Sequence, residues 1–193
     1  MKPHALGIEI ISNFMETINI QYYKTIIGEL IMGSYDGKLC LLDYRYRKMR
    51  DRVDSRIKKG INAEFSIKDD EVLQNTRLQL DEYLSGERKN FDIPLLLIGS
   101  DFQKSVWNAL MEIPYGKTDS YLSLSNKIGN PKAVRAVANA NGANAIAVIV
   151  PCHRIIGSNG ALVGYAGGLD AKKRLLIIEN SYKKNIYQQE LDL

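Results

Sequence analysis

The sequence predicts an α+β protein in two parts, a small antiparallel sheet with a helix first and a mostly helical part second. Three observations carry this expectation. β-rich segments joined by glycine turns fill residues 18–44, apolar residues recur at helical spacing from 102 onward, and the pattern breaks at Gly99-Ser100. The division therefore falls between residues 1–97 and 98–193.

In the first part, residues 18–25 and 29–35 flank Gly28, and Tyr35-Asp36-Gly37 has the turn chemistry for a hairpin into 38–44. Residues 45–59 carry many charges of both signs and few apolar side chains. They read as a solvated helix or a mobile connection, and not as a DNA-binding arm. Residues 69–84 repeat apolar side chains at Val72, Leu73, Leu78, Leu80 and Tyr83, and Ser85-Gly86 closes them as a helix closes. Residues 91–97 form one more extended segment.

In the second part, Phe102, Val106, Ala109 and Leu110 share a helical face, and Pro114-Tyr115-Gly116 forces a turn. Residues 120–128 predict a short helix that Gly129 ends. Asn130 then caps a helix with Pro131 at its first position, continuing through Asn139. Two short helices across a glycine turn have the helix-turn-helix plan; an αα-hairpin that touches no nucleic acid is the alternative. Residues 144–150 predict a short apolar strand stopped by Pro151, and residues 170–180 a final helix.

Composition narrows the function classes. The net charge of +4 is an ordinary surface by itself, but no carboxylate stands between Asp119 and Asp170, where Lys127, Lys132, Arg135 and Arg154 lie. A face without acids does not repel phosphate. The two cysteines form no CxxC pair and suit free thiols inside a reducing compartment, cytoplasmic or nuclear. Cys40 reads as a small buried hydrophobe. His4, Cys40, Cys152 and His153 fit no common zinc spacing, so no metal is expected. The stretch 5–11, broken by Glu9, makes neither a signal peptide nor a membrane span. No glycine loop cradles a dinucleotide, and no cofactor is expected.

The densest chemistry is Pro151-Cys152-His153-Arg154, one of two cysteines beside one of two histidines. A thiol becomes a good nucleophile when a neighbouring base or positive field favours its thiolate. Glu179 shares a helical face with Lys172, Leu175 and Leu176, so it points inward and requires a partner. That partner is His153, or else a lysine or Arg154.

Phe102-Gln103, Val106-Trp107, Ile113 to Gly116, Ser120-Tyr121, Ile128 to Pro131, Arg135 to Val137, Ala140 to Gly142, Pro151 to Arg154, and Gly164-Tyr165 with Gly167 to Leu169 occur in this order. Together they resemble the O6-alkylguanine-DNA alkyltransferases, from about Phe102 to Glu179. The resemblance implies a ribonuclease H-like first domain and a winged helix-turn-helix-like second one. It implies a monomer that repairs double-stranded DNA carrying O6-alkylguanine, and possibly O4-alkylthymine, by moving the alkyl group once and irreversibly onto Cys152. His153 would be the base for the thiol through a bridging water, and Glu179 would orient it. Arg135 would replace an extruded base from a helix in the minor groove, and Tyr121 would act on the phosphate beside the lesion. Asn144 would tie the recognition helix to the active-site segment; Tyr165 and the carbonyls of Cys152 and Ile155 would read the flipped guanine. Two positions depart from the family pattern: Ala145 stands where proline is usual, and Ala166 where many members carry a polar residue. The rival classes are a binding-only relative, which would lack Cys152, and a Cys/His/Glu hydrolase, which would turn over repeatedly.

Overall fold

The computed structural model describes residues 16–181; His4 and the stretch 5–11 lie outside the described residues. Strands β1 (Glu16–Thr25), β2 (Gly28–Tyr35) and β3 (Lys38–Tyr44) form the expected antiparallel meander. Asp36 and Gly37 both adopt positive φ, 48° and 69°, which a two-residue hairpin turn of the favoured twist requires. Cys40 is buried within β3.

Three features differ from the sequence expectation. The sheet is mixed, because β4 (Ala63–Ile67) pairs parallel to β1 and gives the order β3-β2-β1-β4. Of its residues only Ala63 is buried, so the strand leaves little periodic signal. The charged segment after β3 supplies the crossover that a parallel neighbour needs: α1 (Arg50–Ile61) packs through Val53 and Ile57, which are i,i+4 neighbours. Of the two readings of residues 45–59 it is the solvated helix, with only Val53 and Ile57 turned inward.

The second difference lies at the turn after residue 129. Pro131 presets φ equally well for a turn as for a helix start, and here the turn wins, with Ala133 N–H donating to the Asn130 carbonyl at 2.9 Å. Helix α5 therefore runs Val134–Gly142, later at both ends than predicted.

Third, residues 144–150 form no strand. Ile146 makes one isolated bridge to Leu42, and Val148 sits at φ 71°, which a ladder does not allow.

The remaining helices follow the sequence. Asp70 caps α2 (Glu71–Leu84) by accepting from Leu73 N–H, while its other carboxylate oxygen takes Asn19 Nδ2 at 2.7 Å and Ser34 Oγ, fixing the helix to the sheet. Residues 91–97 contribute one bridge, Leu39 to Leu95. Ser100 and Gln103 form a capping box on α3 (Asp101–Met111). Ser120 caps α4 (Tyr121–Lys127), and α6 (Gly168–Ile178) ends the described fold. Two-residue strands β5 (Asp119–Ser120) and β6 (Ile155–Ile156) pair parallel, in the position of a wing. Trp107 Nε1 donates to the Ala140 carbonyl at 2.8 Å and locks α3 to α5. One hydrophobic core joins both parts, with Met32, Leu42, Leu80 and Tyr83 packed among Val106, Leu110, Ile146 and Leu175.

Candidate active site

The site is assembled where the chain leaves α5 and turns into a single 3-10 turn, Cys152–Arg154. Asn144 organises this approach. Its Oδ1 accepts from Ile146 N–H at 2.9 Å, an Asx turn, and its Nδ2 donates to the Val150 carbonyl at 2.9 Å and to Cys152 Sγ at 3.2 Å. The amide thus ties the segment that follows α5 to the nucleophile. No regular ladder is needed to hold residues 144–150.

Cys152 is buried, and burial pushes its thiol up to about 11, only partly countered by the Asn144 donor. At pH 7 that leaves roughly one thiolate in 10⁴. The resting group is therefore a thiol, in keeping with the expectation that it needs His153 as its base. Its proton must leave as the reaction proceeds, which makes the neighbouring base decisive.

His153 is fully buried, and burial lowers its pKa more than Glu179 raises it, so the ring is neutral. Nε2 lies 2.7 Å from Glu179 Oε1. A carboxylate can only accept, which places the ring proton on Nε2 and leaves Nδ1 as a lone-pair base. Among the described residues Nδ1 has no hydrogen-bond partner, although it is buried.

Glu179, 2% exposed at the C-cap of α6, is held from four directions. It accepts from His153, from Arg154 Nε and Nη2 at 3.0 Å, from Tyr83 Oη, and from Gly116 N–H at 3.1 Å. Burial alone would raise this carboxyl; its bonds to His153, Arg154 and Tyr83 outweigh burial and hold it at about 2. The partners that the sequence offered as alternatives, His153 and Arg154, are both taken. Gly116 is required here, because its φ is 73° and a Cβ would meet the Glu179 carbonyl at 2.8 Å.

Cys152, Asn144, Tyr121 and Tyr165 line one pocket of about 580 Å³, together with Ala166 and Arg47. That lies within the roughly 300–1,000 Å³ of small-molecule sites. His153 and Glu179 stand behind the thiol and do not line it. Ile155 is buried, and its carbonyl accepts from Lys172 Nζ at 2.5 Å; Lys172 also donates to the Val163 carbonyl at 2.6 Å. Burial with no carboxylate partner lowers the Lys172 pKa to about 8. Arg135 is exposed on α5 and lies outside the pocket lining. Ala145 is buried, and its carbonyl accepts from Leu42 N–H at 2.8 Å.

Sequence reasoning missed three contributors from the first part of the chain. Tyr83 reaches Glu179 from α2. Tyr44 on β3 stacks edge-on against Tyr165, with hydroxyls 3.4 Å apart. Arg47, paired with the fully buried Asp43 at 2.7 Å, donates to the Asn144 carbonyl at 3.0 Å and the Gly142 carbonyl at 2.5 Å. No local signal marks them, since each meets the site only through the fold.

A buried cysteine backed by a neutral histidine and a carboxylate, beside a helix-turn-helix, defines a cysteine-centred protein with one reactive side chain. Residues 18–97 match the 6-O-methylguanine DNA methyltransferase ribonuclease-like domain, and residues 101–181 the DNA binding domain of the same family. The methylated-DNA--protein-cysteine methyltransferase of Methanosarcina barkeri is 42% identical over 163 residues, covering 83% of this chain and 98% of its own. That of Methanosarcina acetivorans is 55% identical over 115 residues, 60% of this chain and 74% of its own. The crystal structure of Mycobacterium tuberculosis OGT in complex with DNA superposes with a TM-score of 0.71 at 38% identity, covering 86% of this chain and 93% of that one. The chain belongs to the methylated-DNA--protein-cysteine methyltransferase family.

Proposed function

We propose that this protein repairs DNA by direct reversal, moving an alkyl group from O6-alkylguanine in duplex DNA to Cys152 Sγ in a single turnover. One observation carries the reading: the buried thiol faces a base-sized pocket while a neutral histidine, its tautomer set by Glu179, stands behind it. In the reaction the S–C bond forms as the C–O6 bond breaks, and the bonding pair leaves on O6. The thiol proton passes toward His153 Nδ1, in the family's manner through a water, and guanine gains one proton in returning to its lactam form. Sulfur loses one proton and guanine gains one, so no cofactor is required for balance.

In this reading residues 1–97 form a scaffold domain and residues 98–193 carry DNA binding and transfer. Tyr165 and the carbonyls of Cys152 and Ile155 read the base; a carbonyl has two lone pairs, so Ile155 can serve both Lys172 and a ligand. Tyr121 acts on the flanking phosphate, and Arg135 fills the stack left by the extruded nucleotide. The protein works as a monomer in a reducing compartment. A thioether on Cys152 has no evident exit, which sets the ceiling at one alkyl group per chain.

The experiment is incubation with duplex DNA labelled in the methyl of O6-methylguanine. Label should reach Cys152 and stop at equimolar amounts, and Cys152→Ala should abolish transfer yet retain binding to the duplex. Label leaving DNA well beyond equimolar amounts would revive the hydrolase class and sink the single-turnover reading.

A further inference from the structure

Helix α5 separates two clefts. Tyr121 and Asn141 lie on the thiol side; Ala136, Asn139 and Ala143 lie on the other; Ala138 and Gly142 line both. By helical spacing Arg135 falls beside the Ala138 and Gly142 ridge, on the flank away from Asn141. The second cleft, about 750 Å³, is walled by Arg47, Arg52 and Arg56 and by the N-terminus of α3 at Ser100 and Gln103. Among the described residues no carboxylate lines it.

Its positive charge is poorly compensated. Asp43 serves both Arg47 and Arg50, and Arg50 also holds Asp54. Among the described residues Arg56 has no acidic partner: Nη2 donates to the Ala143 carbonyl at 2.7 Å, the guanidinium stands 5.3 Å from the Trp107 ring, and its Nε is buried without a hydrogen-bond partner. Burial and then the neighbouring arginines Arg47, Arg50 and Arg52 push its pKa down, with Asp43 opposing. Arg52 is exposed and forms no ion pair or hydrogen bond among the described residues. A cleft walled by guanidinium groups suits phosphate.

We propose that this cleft seats the phosphate backbone of the DNA strand opposite the one whose nucleotide enters the thiol pocket. The inference rests on the DNA-repair reading above, and it assigns a share of DNA binding to α1. The minor groove is only about 6 Å wide, so a helix lying in it has one backbone on each side. With the damaged strand on the Cys152 side of α5, its complement passes over the other flank. That flank offers only Ala136, Asn139 and Ala143 before the arginines begin, and small side chains let the backbone come close. The proposal runs against the expectation that residues 45–59 form no DNA-binding arm.

The test is the salt dependence of binding to a short duplex carrying O6-methylguanine, measured with Cys152→Ala so that no transfer intervenes. Arg52→Gln in that background should weaken binding and reduce the slope of log K against log salt by about 0.9, one phosphate contact. Arg52→Lys should keep the slope. Lys38→Gln, the same charge change at an exposed site at the start of β3, should also keep it. An Arg52→Gln slope equal to that of the parent overturns the inference. So does a loss confined to cooperative binding at raised protein concentration, which would make the cleft a contact for a second copy. Failure of the Cys152→Ala parent to bind the duplex would instead overturn the DNA reading itself.

Discussion

Replacing Glu179 by glutamine removes the one charge on which His153, Arg154, Tyr83 and Gly116 converge. The carboxyl sits at about 2 in the folded protein against an ordinary 4.5. A folded pKa below the unfolded one means stability that is complete above the unfolded value and lost as pH falls through the folded one. The difference corresponds to about 3 kcal/mol at pH 7, with about half of it gone near pH 3. Arg154, 7% exposed, would be left with a neutral partner, and breaking such a pair costs a comparable 3–5 kcal/mol. Glu179→Gln should therefore lower stability by roughly 3 kcal/mol at pH 7, a fall of roughly 6–12 °C in Tm at 2–4 °C per kcal/mol. The assay is urea unfolding of both proteins at pH 7, 4 and 3. The gap should keep about three quarters of its pH 7 size at pH 4 and about half at pH 3. A gap under about 1 kcal/mol at pH 7, or one that stays constant down to pH 3, would refute the assigned ionisation.

Other outcomes follow from the same geometry. Arg135→Ala should impair transfer from duplex DNA and spare free O6-benzylguanine, because extruding a paired base costs a few kcal/mol and only the duplex requires it; equal losses on both would assign the arginine another role. Alkylation of Cys152 by iodoacetamide should be slow at pH 7 and accelerate through pH 9–10 without levelling, since burial holds the thiol at about 11; a plateau below pH 8 would contradict the resting-thiol state. Methyl transfer should lower Tm by displacing the Asn144 Nδ2 to Sγ contact, an effect of roughly 1–3 kcal/mol, and the benzyl adduct should lower it further; an unchanged or higher Tm after benzylation would show that the pocket has room to spare.

Much of the fold was legible because local signals agreed with it. The Asp36-Gly37 turn, the Asp70 and Ser100 caps and the apolar face of α2 each specify their element within a few residues. β4 was missed because burial of Ala63 alone gives no period, and the run 144–150 misled because a buried apolar stretch has no intrinsic strand signature. Asn144 satisfies that run by side-chain bonds instead of a ladder. In the site, Cys152 and His153 were visible by adjacency and Glu179 by its helical face with Lys172. The thiol's protonation state was not visible, because desolvation depends on everything packed around Cys152.

The hydroxyl of Tyr83 reaches from α2 in the first part of the chain to the carboxylate that steadies His153. Local melting of α2 would therefore remove a donor from the transfer site before the second part had lost any of its own helices. Loosening of the first part should consequently be felt at the site early, with Cys152 becoming reactive before fluorescence of Trp107 reports loss of the second part.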